Sequence, residues 1–489
     1  MPVDSTHTDY DAFSPKWSRI RDTVAGSDEI KAQKTLYLPK PSGHTVQDYI
    51  DYVKRAEFFP ATTRTVDGLL GAVFRKEPNV IVPTGQEELV EKLTIRGADF
   101  TTFAKSVGRE VLILGRYGVL VDVADDDNLP FAAGYTGENI INWQMAHINR
   151  EPVTTMVVLH EQREVPKGDD PFVIETRDRW RVLQLGVLDS GEFDGASVYV
   201  QTLFEQIKDE KGESQIVQIG QVVPLRRGEP LKKIPFTFFG PTNLTPDIEK
   251  PPVLDLVDTN LSHYRTSAEL EEGAYFTGLP MYVISGRGLG EETPGVFEVG
   301  SRNALRLDEG GSAQVLTVSG DGMGVLVSLM ESKEQHMAIL GARILEDQKA
   351  GVEAAVTMAM RHRGENSLLG SIADTVGRGM KDVLKTMTWW NGVDDPDVTA
   401  ELNKDFTSLQ LTGAELVQLV SAFQSGSIGP EVFFKALKDG ERIPDGWTSE
   451  DWLEDIEKGA DQFTRGLTNE GIGGDEDEDE DEEDEDEED

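Results

Sequence analysis

The side chains that most often perform catalysis or hold metal ions are sparse and scattered in this sequence. The histidines form no H-E-x-x-H or H-x3-H pair, and they are His7, His44, His147, His160, His263, His336 and His362. Cysteine is absent, which removes thiol chemistry, disulfide bonds and cysteine zinc sites. The G-x-S-x-G elbow that exposes a nucleophilic serine is absent as well. The sequence therefore predicts no catalytic residue, no metal centre and no cofactor, and the chain is not expected to be an enzyme.

Two short segments have the composition of a ligand site but lack its pattern. Asp125-Asp126-Asp127 supplies carboxylates of the kind that bind Ca²⁺ or Mg²⁺, yet the spaced D-x-[DN]-x-[DN]-G loop does not occur. Gly286-Arg-Gly-Leu-Gly290 has the glycines of a phosphate-binding loop, but no helix is predicted directly after it to aim N–H groups at a phosphate. We interpret the first segment as a solvated turn before Pro130 and the second as a β-turn.

Acidic residues dominate the charge of the chain. Over 489 residues the formal net charge is −42, and every position from Asp475 to Asp489 is Asp or Glu. Such a chain is not expected to hold nucleic acid non-specifically, because phosphate contacts need Lys and Arg. Three interpretations of the acidic tail stay open: a solvated segment, a contact for a basic partner protein, and a mimic of DNA of the kind found in histone chaperones.

The length and the apolar content indicate a protein of two to four domains with ordinary cores. Hydrophobic residues make up 38% of the chain, and no run approaches the roughly 18 apolar residues of a membrane-spanning helix. The N-terminal residues lack the charged and apolar regions of a secretion signal. No membrane association is expected, and the absence of cysteine fits a reducing cytoplasm.

The clearest single element is a helix predicted from Pro252 to Gly278. Its apolar residues recur at steps of three and four, the spacing of one helical face, and they are Val253, Val257, Leu261, Tyr264 and Ala268. Pro252 is typical of a first helical turn, and Gly278 is typical of a helix end. The opposite face is acidic, and its carboxylates are Asp255, Asp258 and Glu269, with Glu272 on the flank. One face is thus suited to packing, and the other to solvent or a partner.

The remaining patterns predict an α+β protein. Residues 45–123 have the spacing of a helical layer that leads into a buried strand, with a capping box that begins at Thr45. Short alternating runs separated by turns predict a β-meander over residues 138–240. Further helices are predicted at residues 330–348, 366–390, 412–437 and 449–466. The first 44 residues are interpreted as an arm with a short helix near residues 16–34.

Four segments carry sequence patterns that are recognisable when they are taken together. They are residues 52–78, from Tyr52-Val-Lys-Arg-Ala-Glu-Phe-Phe-Pro60 onward; residues 115–143, from Gly115-Arg-Tyr-Gly-Val-Leu-Val-Asp122 onward; Ile234-Pro-Phe236 with residues 252–265; and the helix pair at residues 331–390. In this order they resemble the portal proteins of tailed bacteriophages, in a branch known as an uncharacterised portal-like domain. The resemblance leaves out residues 1–44 and everything beyond residue 400.

This resemblance implies a ring of subunits, usually twelve, at one vertex of a capsid. The terminase motor would pump double-stranded DNA through the ring, and the DNA would later leave through it as weakly contacted cargo. The implied partners are other copies of the chain, the terminase large subunit, the major capsid and scaffolding proteins, and a head-completion or adaptor protein. The ring would form in the cytoplasm of the bacterial host and reside in the virion. The alternative is an acidic-tailed chaperone or scaffold that masks basic partner proteins.

By position, the resemblance implies a portal-type fold with a mixed α/β wing, a helical stem, a small β clip, a helical C-terminal crown and a disordered acidic tail. The divisions are an arm at 1–44, wing at 45–250, stem helix at 251–278, clip or stem region at 279–311, wing again at 312–400, crown at 401–470 and tail at 471–489. A tunnel loop would lie near residues 347–366. A second stem helix is not recognisable between residues 286 and 326, because glycine recurs there.

The resemblance also gives individual side chains a role. Arg361, His362 and Arg363 form a compact basic cluster near the implied tunnel loop, where they would contact DNA phosphates, or else serve as an ordinary surface loop or pair with an acidic neighbour. The acidic face of the stem helix would repel and centre the duplex; its carboxylates are Asp255, Asp258, Glu269 and Glu272. The apolar face would contact neighbouring subunits; its residues are Val253, Val257, Leu261 and Tyr264. The helices at 330–348 and 366–390 are further interface candidates, since a ring needs a heterologous contact.

Overall fold

The structure is a computed structural model, and its helices and strands together confirm the predicted α+β class. It describes residues 2–123, 129–148, 150–167, 170–187, 197–208, 214–278, 281–285, 312–316, 322–344, 367–404, 406, 413–425, 427–439, 442–443 and 447–454. The chain divides into two compact units, residues 1–406 and 407–489, and each is described by itself.

Helices of the larger unit share one extensive core. Their bounds are α1 (Thr8–Ala25), α2 (Ser27–Ala32), α3 (Val46–Arg55), α4 (Ala61–Val73), α5 (Glu88–Glu91), α6 (Phe100–Leu114), α7 (Leu254–Gly278), α8 (Met323–Arg343) and α9 (Leu368–Trp390). Trp17, Val111, Tyr264 and Val376 are all fully buried in this single apolar cluster, although they come from four different helices. The long helices predicted at residues 330–348 and 366–390 are confirmed as α8 and α9, and α8 begins earlier than predicted.

The strands of the larger unit form several separate sheets. Their bounds are β1 (Asn79–Ile81), β2 (Tyr117–Val123), β3 (Pro130–Thr136), β4 (Ile140–Ile148), β5 (Glu151–Lys167), β6 (Asp170–Val187), β7 (Ser197–Lys208), β8 (Ser214–Val222), β9 (Leu225–Arg226), β10 (Glu229–Pro230), β11 (Phe236–Phe239), β12 (Met281–Ser285), β13 (Ser312–Leu316) and β14 (Thr399–Glu401). The five-stranded sheet has the order β4-β5-β6-β7-β8, which confirms the predicted meander, and the three-stranded sheet has the order β11-β2-β3. A small antiparallel sheet pairs β1 with β14.

The N-terminal helix α1 belongs to the core of the larger unit, so the interpretation of this segment as an arm is wrong. Trp17 is fully buried, and its Nε1 donates to the carbonyl oxygen of Leu114 at 3.0 Å. The guanidinium of Arg21 forms ion pairs with both Glu110 and Glu138. All of these partners lie far away in the sequence, and local residue patterns do not reveal them.

Two local signals at element ends are visible in the structure. The capping box predicted at Thr45 is confirmed: its Oγ1 accepts from the backbone N of Asp48 at 3.2 Å, and the Asp48 carboxylate accepts from the backbone N of Thr45 at 2.9 Å. Gly115 ends α6 with a φ of 70°, and a Cβ there would lie 3.1 Å from the carbonyl oxygen of Glu249. Glycine therefore suits both the left-handed turn and the close approach of the backbone at this position.

A partly buried polar network joins the three-stranded sheet to the five-stranded sheet. The Nε of Arg181 donates to Glu161 at 2.7 Å, and its Nη1 lies 3.4 Å from Asp122 Oδ2. Gln201 accepts from Arg181 at 2.8 Å and donates to Asp122 at 3.1 Å. The Tyr135 hydroxyl donates to Glu161 at 2.7 Å. Both carboxylates thus face a cation and hydrogen-bond donors, as buried charges require.

The two carboxylates of this network differ in the direction of their pKa shifts. Burial raises the pKa of Glu161, but the charge of Arg181 and hydrogen bonds from Arg181 and Tyr135 outweigh burial and leave that pKa lowered. Burial also raises the pKa of Asp122, and the opposing charge of Arg181 does not offset it, so this pKa stays raised. A lowered pKa means that the ionised carboxylate stabilises the fold, whereas a raised one means that protonation does.

Glu161→Gln is therefore expected to lower the free energy of unfolding by about 2 kcal/mol at pH 7, and Asp122→Asn by less than about 1 kcal/mol. The contribution of Glu161 is present above the unfolded pKa and is lost as the pH falls through the lowered folded value. Protonation of Asp122 stabilises the fold as the pH falls through its raised pKa, so the stability of the wild type rises relative to that of Asp122→Asn as the pH is lowered from 7 towards that pKa. Urea unfolding over a series of pH values from 7 downward measures these differences. A greater loss for Asp122→Asn than for Glu161→Gln at pH 7 would contradict the assignment.

The smaller unit has helices and an aromatic core of its own. Its helices are α10 (Gly413–Gln424) and α11 (Pro430–Asp439), so the single helix predicted at residues 412–437 is two. Phe433 stacks on Phe423 with ring centroids 4.3 Å apart, and Trp452 lies 5.8 Å from Phe433. Residues 449–454 are helical, as predicted for the start of the last helix. The acidic tail lies outside the described residues.

Candidate functional site: the long helix pair

The helix predicted at residues 252–278 is present as α7, which begins at Leu254 and continues for 25 residues to Gly278. At about 1.5 Å per residue it spans roughly 37 Å. α8 packs along it in the opposite direction. Thr277 near the end of α7 contacts Met323 at the start of α8, whereas Leu256 and Met337 share a buried cluster at the other end. The two helices thus form a long antiparallel pair.

Polar contacts fix how α8 faces α7. The Nζ of Lys333 donates to the carbonyl oxygen of Ser262 at 3.1 Å and to Thr266 Oγ1 at 2.5 Å. The Nε2 of His263 lies 3.2 Å from Glu334 Oε1. Burial lowers the pKa of Lys333 and outweighs the opposing effect of nearby negative charge. Because these side chains occupy one side of each helix, they specify the rotation of α8 about its axis.

A β-hairpin base connects the two helices. β12 and β13 pair antiparallel, with Met281 opposite Leu316 and Ser285 opposite Ser312. The arrangement is therefore helix, strand, strand, helix, and it places the implied clip region, residues 279–311, between α7 and α8. Residues 286–311 lie outside the described residues. The helix paired with α7 is α8, which the sequence interpretation had counted in the wing and which lies after most of the glycines that obscured it.

The apolar face of α7 is buried within its own subunit, so the prediction that it contacts neighbouring subunits is wrong. Val253, Val257 and Tyr264 are fully buried, and Leu261 is almost so, in the core shared with α1, α3 and α4. The ring of Tyr264 meets Phe58 edge to face at a centroid distance of 5.9 Å. The periodicity identified a packed face correctly, but the elements that cover it come from residues 8–73 of the same chain.

The acidic face of α7 is partly neutralised by neighbours in the subunit. Asp255 lies 2.7 Å from Lys250, and Asp258 lies 3.2 Å from Arg19. Both carboxylates are exposed, as is Glu269.

Glu272 does not belong to this acidic face. Its side chain is only 15% exposed, pairs with Arg55 of α3 and lies 3.4 Å from the Nε2 of His44. The guanidinium of Arg55 also lies over the ring of Tyr275, 4.2 Å from its centroid. The candidate role of Glu272 in facing DNA is therefore replaced by a structural one, in which it holds the end of α7 against α3.

The helix pair instead exposes apolar side chains that sequence reasoning missed. They are Tyr275 and Phe276 of α7, and Val325, Val327, Leu329 and Ile339 of α8. The aromatic pair and the first three of the α8 residues lie at the same end of the pair, since Thr277 contacts Met323 there. The sequence did contain a signal for this surface, because apolar residues occur on all sides of α8. A helix that is apolar all round is typically covered by other elements or subunits on several sides. We call this set the apolar surface of the helix pair.

Other predicted features of the site are not visible in the structure. Arg361, His362 and Arg363 lie outside the described residues, together with the implied tunnel loop, so their role stays a prediction. Along the described ranges, no helix combines the length and apolarity needed to cross a bilayer. Within those same ranges, no three His, Asp or Glu side chains are grouped so that they could hold a metal ion.

Comparisons with known proteins give matches for part of the sequence and for the fold. A family profile described as a domain of unknown function (DUF4055) matches residues 252–391, which contain α7, α8 and α9. No curated protein matches the sequence. The structure is similar to a chain in the virion of a native gene transfer agent particle, with 13% identity and a TM-score of 0.38 over 82% of this chain and 95% of that one. It is also similar to a chain in the neck of the native particle computed with C12 symmetry, with 12% identity and a TM-score of 0.37 over 80% of this chain and 92% of that one.

Proposed function

We propose that this chain is the subunit of a closed ring, a portal that conducts double-stranded DNA into and out of a phage-type capsid. The observation that carries the proposal is the apolar surface of the helix pair, which a lone subunit leaves in water. Large apolar side chains gathered on one exposed element are typical of a surface that another protein covers. The resemblance of residues 52–390 to portal proteins supports a ring of like subunits, in which α7 and α8 together form the stem.

The charge of the subunit supports a conduit that holds DNA weakly. Contacts between six to ten cations and DNA phosphates make binding tight and strongly salt-dependent. A ring through which the duplex slides must therefore make fewer such contacts. In the proposed ring, the exposed carboxylates of the stem that face the duplex are Asp255, Asp258 and Glu269. Nearby cations weaken the repulsion by each of them, since Lys250 lies beside Asp255, Arg19 beside Asp258 and the Lys333 ammonium near Glu269.

The proposed partners follow from the order of the elements. The hairpin of β12 and β13 lies between the two stem helices and would carry the docking surface for the terminase large subunit and, later, for an adaptor protein. Arg361, His362 and Arg363 would touch phosphates at the narrowest part of the channel. The capsid and scaffolding proteins would surround the wing.

Electron microscopy and native mass measurement of the purified full chain test this function. We expect rings with a central hole, and a mass that is a multiple of the 54.0 kDa chain, with twelve copies as the expected number. A species that stays at the mass of one chain over a wide range of protein concentrations would refute the ring. That result would favour the alternative, an acidic chaperone for basic proteins, which binding of a basic protein to the single chain would then test.

A further inference from the structure

The side of α8 that faces away from α7 carries residues at the spacing of a coiled coil. They follow one another at steps of four, three, four and three, and they are Val325, Leu329, Ser332, His336 and Ile339. All five side chains are exposed. An alternation of four and three is the heptad spacing by which one helix packs lengthwise against another. We call these five residues the seam of α8, and its three apolar members belong to the apolar surface of the helix pair.

The seam of α8 lacks Asp, Glu, Lys and Arg, although charged residues make up 28% of the chain. Ser328 and Gln335 lie beside the seam, and they too are exposed and uncharged. Lys333 and Glu334 instead turn towards α7, where they contact Ser262 and His263. A surface helix normally carries its charged residues on the side that faces water, whereas the centre of an interface is depleted of them. The seam is therefore suited to contact with protein.

Helix α3 has a shorter apolar seam that its own subunit covers only in part. Val46, Ile50 and Val53 follow one another at steps of four and three. Val53 is buried, whereas Val46 and Ile50 are exposed. Among the α-helices that the structure describes in the larger unit, those that expose large apolar side chains are α3, α7 and α8. Within that part of the chain, α3 is thus the helix outside the pair that can offer α8 an apolar contact.

Helices α3 and α8 lie on different sides of α7. Glu272 and Tyr275 of α7 contact Arg55 of α3, whereas Thr266 and Thr277 of α7 contact α8. With 3.6 residues per turn, the two sets of side chains leave α7 in directions roughly 120–160° apart. The exposed residues of α3 and the seam of α8 therefore belong to separate flanks of one subunit, and they do not cover each other.

We propose that the seam of α8 in one copy packs lengthwise against the exposed flank of α3 in the next copy, with Val46 and Ile50 as its apolar contacts. The two surfaces differ, so the contact is heterologous and repeats from copy to copy around a closed ring. Ser332 and His336 would fix the register, as polar residues do in the seam of a coiled coil. The inference rests on the proposed ring, and it names the surface of the neighbouring copy that covers α8.

Site-directed cross-linking tests the proposal in the full chain, which has no native cysteine. The variants are Val46→Cys, Leu329→Cys and the double variant, each treated with a short bismaleimide. In one subunit α7 separates the two helices, whose axes lie roughly 15–20 Å apart, so the reagent joins them only between copies. The double variant should give a ladder of covalent multimers on a denaturing gel, and neither single variant should. Monomer alone from the double variant would overturn the proposal, as would dimers from Leu329→Cys alone, which would show α8 against a second α8.

A second measurement separates this inference from the proposed function. Val46→Asp places a carboxylate in the contact and should lower the fraction of assembled protein at least about tenfold near the assembly midpoint. The helix itself tolerates the change, because an acidic residue suits the first turn. Ile95→Asp should have no such effect, and it is matched in exposure, at 70% against 71% for Val46.

Two outcomes distinguish the inference from the ring. Rings that form normally with Val46→Asp, together with no ladder from the double cysteine variant, would overturn the inference and leave the ring intact. A wild-type chain that never assembles would overturn both.

Discussion

Arg181→Met should lower the free energy of unfolding by about 2–4 kcal/mol, because removal of one member of a partly buried ionic group leaves the other charges with less compensation. Methionine retains the apolar stem of the side chain but not its charge. Arg179 stays 3.7 Å from Glu161. Asp122 loses the cation at 3.4 Å and keeps the hydrogen bonds that its carboxylate accepts from Gln201 and from the backbone N of Val123. The loss of stability should therefore arise mainly where the three-stranded sheet contacts the five-stranded sheet.

Urea unfolding monitored by tryptophan fluorescence measures the total loss, and amide hydrogen exchange in β5, β6 and β7 locates it. Arg163→Met is the matched control, because Arg163 lies 3.7 Å from Glu205 but is 55% exposed. Arg163 is exposed, and the buried Glu205 keeps Arg177 at 3.4 Å in the variant, so the expected loss is only about 0–1 kcal/mol. Equal losses for the two variants would show that the partly buried network does not hold the sheets together.

Val325→Asp combined with Leu329→Asp should abolish assembly while leaving the subunit folded. The two positions lie four residues apart, on one face of α8, and both side chains are exposed in the lone subunit. Each interface would then bury two unpaired carboxylates, and truncation of a single central contact alone often costs more than about 2 kcal/mol. The expected weakening is therefore at least about 30-fold per interface. Stability should change by no more than about 0.5 kcal/mol, as for other surface substitutions.

Sedimentation velocity and negative-stain images of the double variant test this expectation, with urea unfolding as the check on the fold. Ile95→Asp is the control, since Ile95 is 70% exposed but does not belong to the helix pair. Rings formed normally by the double variant would show that the apolar surface is not a subunit contact.

Much of the secondary structure could be predicted from the sequence, because it depends on local spacing. α7 follows from apolar residues at steps of three and four, and the capping box at Thr45 from a hydroxyl and a carboxylate three residues apart. The start of α8 could not be placed, because glycines precede it and its apolar residues surround the axis. The packing of α1 into the core was likewise not predicted, because α1 contains Pro15 and many polar residues, and its sequence does not indicate that Trp17 is buried.

The candidate site was predictable only in part, because periodicity shows that a face is covered and not what covers it. The apolar face of α7 has the spacing expected of either a core or a subunit contact, and only the folded chain reveals Phe58 against Tyr264. The same limit applies to Glu272, whose partners Arg55 and His44 lie more than two hundred residues earlier. Asp122 and Arg181 also meet through tertiary packing alone.

The pairing of β1 with β14 has a consequence for synthesis of the protein. Asn79 lies opposite Glu401, so the small sheet cannot close until nearly the whole larger unit has left the ribosome. Arg19 also awaits a late partner, since it pairs with Asp258 of α7. Contacts of such long range slow folding and leave apolar surface uncovered in the meantime. The nascent chain must therefore remain soluble while incompletely folded for most of its translation. Its high negative charge helps, because incompletely folded copies repel one another and aggregate less readily.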